Sequence, residues 1–171
     1  MTYAIRATVQ TDTALLPAVE QSAGRRFRDA PGLEWIADED NMAPARHAEL
    51  MREGTSWVAA DGDDAPVGFI ACERRGGALH ICEFAVNEAL HGHGVGRALL
   101  DRATDHARAH GMSAVTLTTF RDLAWNQPYY ARRGFVTVTP VGDQPLAVTL
   151  RDEIRFGLPG KRRCAMVLTL N

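Results

Sequence analysis

Between residues 91 and 97 the chain reads His91-Gly92-His93-Gly94-Val95-Gly96-Arg97, with a glycine at every second position. A mostly apolar run, Ala78 to Val86, precedes this stretch, and a helical stripe of Leu99, Leu100, Ala103 and Ala107 follows it. The first N–H groups of any helix lack intrahelical partners and lie at the positive end of its dipole. Glycines let the main chain fold tightly there and come close to a ligand. Such a loop makes a cradle for phosphate groups. The same residue types also serve a plain tight connection from strand to helix. Two common nucleotide loops do not match. A Walker loop would end in Gly-Lys-Ser/Thr, whereas this one ends Gly96-Arg97-Ala98. A dinucleotide fingerprint spaces its glycines differently and opens a strand–helix repeat, whereas several strands come before this loop.

Other residue types point to acid–base chemistry. Glu83 places a carboxyl in an otherwise apolar strand, which is costly if it is buried without a partner. His80 lies three residues earlier, so strand alternation turns it to the opposite face unless a bulge intervenes. Glu83 and His80 are therefore alternative bases, and a water relay would relax the geometric demand on either. Glu83 also reads as a structural acid paired with an arginine. His91 and His93 have neither a cysteine nor an acid at metal-ligand spacing, so no metal is assigned. The three cysteines, Cys72, Cys82 and Cys164, match no disulfide or zinc pattern and read as buried free thiols. Trp35 and Trp57 read as packing residues. Asp38, Glu39 and Asp40 read as a solvated loop, with attraction of a cationic substrate as the alternative.

Length and composition bound the rest. The 171 residues suit one domain, 1–171, and apolar (46%) and charged (23%) fractions are those of a globular chain rather than a disordered one. A formal charge of −2, with Lys161-Arg162-Arg163 the most basic cluster, argues against a nucleic-acid partner. No apolar run approaches the roughly 18 residues that cross a bilayer, so no membrane partner is expected. Met1 to Gln10 lack the blocks of a secretion signal, which makes the cytoplasm the expected location.

The elements that must hold these residues follow from periodicity and turn signals. Strands are predicted over Tyr3–Val9, Thr55–Ala60, Val67–Glu73, Ala78–Val86, Val115–Thr119, Phe135–Thr139 and Cys164–Leu170. Helices are predicted from about Leu15 to Arg28, Pro44 to Arg52, Val95 to His110, Trp125 to Arg132, and around Leu146 to Arg155. Adjacent strands followed by strand–helix–strand units imply an α/β fold, a mixed sheet with helices on its faces.

At this point two motifs resemble those of one family. Glu83-Phe84-Ala85-Val86, followed by His91-x-x-Gly94-x-Gly96-Arg97-Ala98-Leu99-Leu100, looks like the acetyl-coenzyme A motif of the GNAT acetyltransferases, with His where Gln or Arg is usual. Asn126-Gln127-Pro128-Tyr129-Tyr130, leading to Gly134-Phe135, is similar to the family's later motif in a bacterial subgroup. The resemblance covers roughly residues 3 to 139. It implies a GNAT-type, mostly antiparallel sheet of about six or seven strands with four or five helices. It implies acetyl-CoA as cosubstrate and an amine, on a small molecule or a peptide, as acceptor in a ternary complex. By the same resemblance His91, Gly92, His93, Gly94, Val95, Gly96 and Arg97 grip the pyrophosphate. Phe84, Ala85 and Val86 pair with the pantetheine arm, which Asn126 also contacts; a helix cap is the other reading of Asn126. Tyr130 is the acid for the departing thiolate, with Tyr129 in a packing role. The subgroup also carries a glutamate at the position of Glu83, which favours it as base. Edge pairing, common in such sheets, leaves a homodimer open. The rival readings are a noncatalytic acyl-CoA-binding module and a nucleotide-binding protein.

Overall fold

Central strands must be apolar on both faces, and here the buried runs identify them. In a computed structural model describing residues 2–171, Ser56–Ala60 is buried at every position and Pro66–Arg75 is buried through Cys72. These are strands β2 and β3. Before them come β1 (Ala4–Ala7), helix α1 (Leu16–Gly24) and helix α2 (Pro44–Arg52). After them come β4 (Ala78–Val86), α3 (Val95–Ala109), β5 (Ala114–Phe120), α4 (Gln127–Ala131), β6 (Val136–Val138), α5 (Pro145–Phe156) and β7 (Arg163–Thr169). Hydrogen bonds link the seven strands in the order β1-β2-β3-β4-β5-β7-β6. The fold is α/β, mostly antiparallel, with five α-helices, as the sequence implied.

The chain divides into two compact units. The first runs up to Glu73 and resumes over Ile81–His106. In it β1 pairs antiparallel with β2, and β2 with β3. Leu16 and Val19 of α1, Leu50 of α2, Val58, Phe69, Ala71 and Ala85 form one core cluster. Each large side chain so buried contributes about 1.5–3 kcal/mol relative to exposure. Gly68 lets β3 approach closely: a Cβ there would stand 3.3 Å from the Ala85 carbonyl oxygen, from Leu99 Cδ1 and from Val86 Cγ2. Trp57 is buried beside the His106 ring, with centroids 4.9 Å apart, and under the Arg102 guanidinium. Trp35, expected to pack, is exposed.

The second unit comprises Arg74–His80 and the residues from Ala107 on. The start of β4 pairs parallel with β5 over Ala78–Ala114, Leu79–Val115 and His80–Thr116. β5 then pairs antiparallel with β7 along its whole length, and β7 with β6. The Arg163 guanidinium donates twice to the Glu153 carboxylate of α5, both at 2.9 Å, while Thr118 Oγ1 donates to the same group. The charges are half-buried but paired, which the low-dielectric setting requires.

Most expected boundaries agree to within a few residues; two differ. The first helix stops at Gly24 and continues as a tighter 3-10 turn over Arg25–Asp29. A second 3-10 turn, Glu34–Asp38, lies where the sequence offered only a loop. Pro31 cannot donate into a continuing helix and Gly32 has φ 78°, so the chain bends there.

Candidate active site

In the first unit, the glycine loop opens α3 as its sequence required. Gly92 and Gly94 have φ of 81° and 84°, a region that side-chain-bearing residues enter only at a cost. A Cβ on Gly92 would meet nothing within 4 Å, and one on Gly94 would meet only the Tyr3 hydroxyl at 3.7 Å. Glycine is thus needed there for conformation and leaves open space in front of the main chain. The first helical bond is donated by Ala98 to the Gly94 carbonyl, 3.1 Å away. His93 donates its amide to the Leu90 carbonyl, so it is spent on the turn itself. No main-chain acceptor is found among the described residues for the amides of Gly92, Gly94, Val95, Gly96 and Arg97. Five amides without a main-chain acceptor thus gather at the positive end of the helix dipole, where phosphate oxygens could lie.

The loop side chains have local duties. His91 donates from Nε2 to the Val86 carbonyl at 2.8 Å, fastening the loop to the end of β4. His93 Nδ1 lies 3.0 Å from the His91 carbonyl oxygen. Arg97 is exposed and pairs with Asp101 one turn on, at 3.6 Å. Among the described residues no group of three or more His, Cys, Asp or Glu side chains is placed to hold a metal ion.

On β4, Glu83 is half-buried and its Oε1 accepts the Phe84 amide at 3.0 Å. That amide therefore points at the acid beside it. The charge of Glu83 also acts on an acid that sequence reasoning missed. Glu20 of α1 is largely withdrawn from water, and its Oε2 accepts the Met42 amide at 2.9 Å. Burial pushes its carboxyl up to about 8, the charge of Glu83 adds to the rise, and the Met42 bond opposes it. A signal was present in the sequence. Leu16, Val19 and Ala23 mark the buried face of α1, and Glu20 follows Leu16 by four residues on that same face.

The alternative base belongs to the second unit. His80 is buried in the β4–β5 ladder, with Nδ1 3.0 Å from Thr116 Oγ1. In that unit Asn126 precedes α4 but makes no side-chain cap, and its Oδ1 is buried without a hydrogen-bond partner. A buried, orphaned amide oxygen next to a family motif calls for a donor from elsewhere. Tyr130 is buried one turn into the helix, its ring edge-on to Tyr129 and Phe135 at centroid distances of 5.2 and 5.6 Å. The Asn126 carbonyl accepts the Tyr130 amide, and the Tyr130 carbonyl accepts those of Arg133 and Phe135, so the motif is folded into one turn. Gly134, with φ 89°, closes it.

Cys72 and Cys164 are buried, and burial raises both thiols, which makes them poor nucleophiles. Cys82 is half-buried rather than buried as expected, with Sγ 3.7 Å from the Glu73 carboxylate. Asp38 is solvated and paired with Arg28.

A seven-stranded mixed sheet with a glycine-opened helix start after its fourth strand places the chain among α/β proteins whose loop can take phosphate groups. The family model described as Acetyltransferase (GNAT) family matches residues 16–135, and the chain belongs to that family. A curated relative, the mycothiol acetyltransferase of Beutenbergia cavernae, is 31% identical over 74% of this chain; the match spans half of that relative's length. The fold is that of the PaiA N-acetyltransferase from Thermoplasma acidophilum, solved with coenzyme A (TM-score 0.75, 14% identity, 99% of this chain and 100% of that one). It is also that of the ribosomal-protein-S18-alanine N-acetyltransferase from Escherichia coli (TM-score 0.70, 17% identity, 99% and 95%). No helix of the described residues is long and apolar enough to cross a membrane.

Proposed function

We propose that the chain transfers the acetyl group of acetyl-CoA to a primary amine by direct attack in a ternary complex. The observation that carries this is the row of unspent amides at Gly92, Gly94, Val95, Gly96 and Arg97, in a family of acetyltransferases. Those amides hold the pyrophosphate of the cosubstrate, with His91 bracing the loop rather than touching phosphate. The main chain of Phe84, Ala85 and Val86 receives the pantetheine arm, and Asn126, whose side-chain oxygen lacks a partner, takes one of its amide donors.

The acceptor enters mostly as an ammonium ion, since amines of this kind have a pKa near 10.4. Glu83 takes its proton, directly or through water. The amine nitrogen then bonds to the acetyl carbon as the carbon–sulfur bond breaks. A main-chain N–H of the Phe84–Val86 segment beyond Phe84, whose own amide is held by Glu83, stabilises the charge growing on the carbonyl oxygen. Tyr130 gives its hydroxyl proton to the leaving sulfur, and the second N–H proton, shed by nitrogen as the amide forms, restores the tyrosine directly or through water. The raised thiols of Cys72 and Cys164 fit a direct transfer with no acyl-enzyme. No metal takes part, and the chain acts as one domain, alone or as a homodimer.

The test is release of free CoA thiol, followed with small polyamines, amino acids, antibiotics and peptide N-termini as acceptors, beside calorimetry with CoA. Turnover on at least one amine together with CoA binding is the expected result. Binding without turnover on any acceptor would mark a noncatalytic acyl-CoA module instead. Displacement of CoA by ATP or NAD would mark a nucleotide-binding protein.

A further inference from the structure

Tyr3 has no part in the scheme above, yet its hydroxyl lies at the glycine loop. Strand pairing puts it there. Ala4, at the start of β1, pairs with Ala60 at the end of β2, and Ala60 pairs with Pro66 at the start of β3. The next residue, Val67, accepts the amide of Asn87, just past β4, on its carbonyl. The start of β1 and the exit of β4, which leads into the loop, therefore share one end of the sheet. Alternation sets the face. Ala7 pairs with Trp57, whose ring meets His106 and Arg102 of α3, so Tyr3, four residues before Ala7, falls on the face that α3 covers. The Tyr3 hydroxyl stands 3.7 Å from where a Cβ on Gly94 would sit. Tyr3 is half-buried, and its hydroxyl has no hydrogen-bond partner among the described residues. Two of the loop's own side chains are engaged, His91 with the Val86 carbonyl and Arg97 with Asp101.

We infer that Tyr3 is a further cosubstrate-binding residue: its hydroxyl donates to a pyrophosphate oxygen held at the amides of Gly94, Val95 and Gly96. This rests on the cosubstrate reading above. A donor without a partner stands beside amides without acceptors, and a phosphate oxygen satisfies both. A tyrosine suits the task. Its hydroxyl is carried on a rigid ring with two side-chain torsions, so little freedom is lost when it is fixed. A hydrogen bond to a charged acceptor is about twice as strong as one between neutral groups. Strand β1, far from the loop in sequence, thereby takes part in holding the cosubstrate.

The experiment compares the wild-type protein with Tyr3→Phe, which keeps the ring and removes only the hydroxyl. Since that hydroxyl has no partner in the protein, both should unfold at the same urea concentration. In calorimetry the variant should bind CoA about tenfold or more weakly. Dephospho-CoA, which keeps the pyrophosphate but lacks the 3′-phosphate, should show the same loss. A second arm labels the tyrosine Cζ carbons for NMR; the chain has three tyrosines, and the Tyr3 signal is the one absent from Tyr3→Phe. That signal should move with CoA and dephospho-CoA and stay in place with pantetheine, which carries no phosphate. Equal CoA affinity in the two proteins overturns the inference and leaves the cosubstrate reading intact. So does a loss that vanishes with dephospho-CoA, a Tyr3 signal that CoA does not move or pantetheine does, or a variant that unfolds at lower urea. No CoA binding by folded wild-type protein sinks the cosubstrate reading itself.

Discussion

His47 gives a stability prediction that can be worked through in numbers. It lies on α2 with none of its side chain exposed, edge-on to Phe69 at 4.9 Å, and neither ring nitrogen has a hydrogen-bond partner. Burial therefore lowers its pKa from 6.5 to about 4. Between these values the unfolded chain binds a proton that the folded chain refuses. Stability from this group is complete above pH 6.5 and is lost as pH falls through the window toward 4. The full difference, about 2.5 pKa units, corresponds to about 3.4 kcal/mol, of which about 2 kcal/mol is lost by pH 5. The perturbation is His47→Leu, which has no titrating group and leaves no polar atom stranded. Urea unfolding of both proteins from pH 7.5 to 4.5, read by circular dichroism, isolates the term. His80 and His106, also buried, are present in both proteins and cancel in the difference. The wild-type protein should lose about 2 kcal/mol more than the variant between pH 7 and 5. At pH 7 the variant should be as stable or more so. Parallel curves, with no pH-dependent difference, would refute the claim that His47 is buried and neutral.

Three further outcomes follow from the geometry. Gly94→Ala places a Cβ at φ 84°, costing about 1–2 kcal/mol, so CoA affinity by calorimetry should fall roughly 5- to 30-fold; an unchanged Kd would contradict the cradle. Tyr130→Phe keeps the ring packing on Tyr129 and Phe135 but removes the acid, so kcat should fall about a hundredfold or more while CoA affinity stays within about twofold. Gly68→Ala crowds the Ala85 carbonyl, Leu99 and Val86 at 3.3 Å, and should destabilise the protein by about 1–3 kcal/mol in denaturant titration.

What was legible in the sequence was local. The bounds of α2, Pro44–Arg52, and of β4, Ala78–Val86, came out residue for residue because proline, glycine and apolar runs mark them directly. The glycine loop was legible for the same reason: positive φ and free amides at a helix start are properties of a few consecutive residues. Other features were not. Asn126 carried a helix cap as its other reading; its side chain makes no cap bond and its oxygen is buried without a partner, which only packing could decide. Cys82 and Trp35 were expected to be buried, but apolar character does not say which face of an element meets the core.

The sequence by itself determined the α/β class, the strand and helix order, the family motifs, and the glycine loop that opens α3. Each depends on residue type and short spacing, which act through backbone conformation. Tertiary structure alone decided that burial raises the Glu20 carboxyl, that His80 belongs to the β4–β5 ladder, and that burial disfavours the charged form of His47. The shifts of Glu20 and His47 come from burial and, for Glu20, the field of another charge, and both arise only when segments far apart in the chain are packed together.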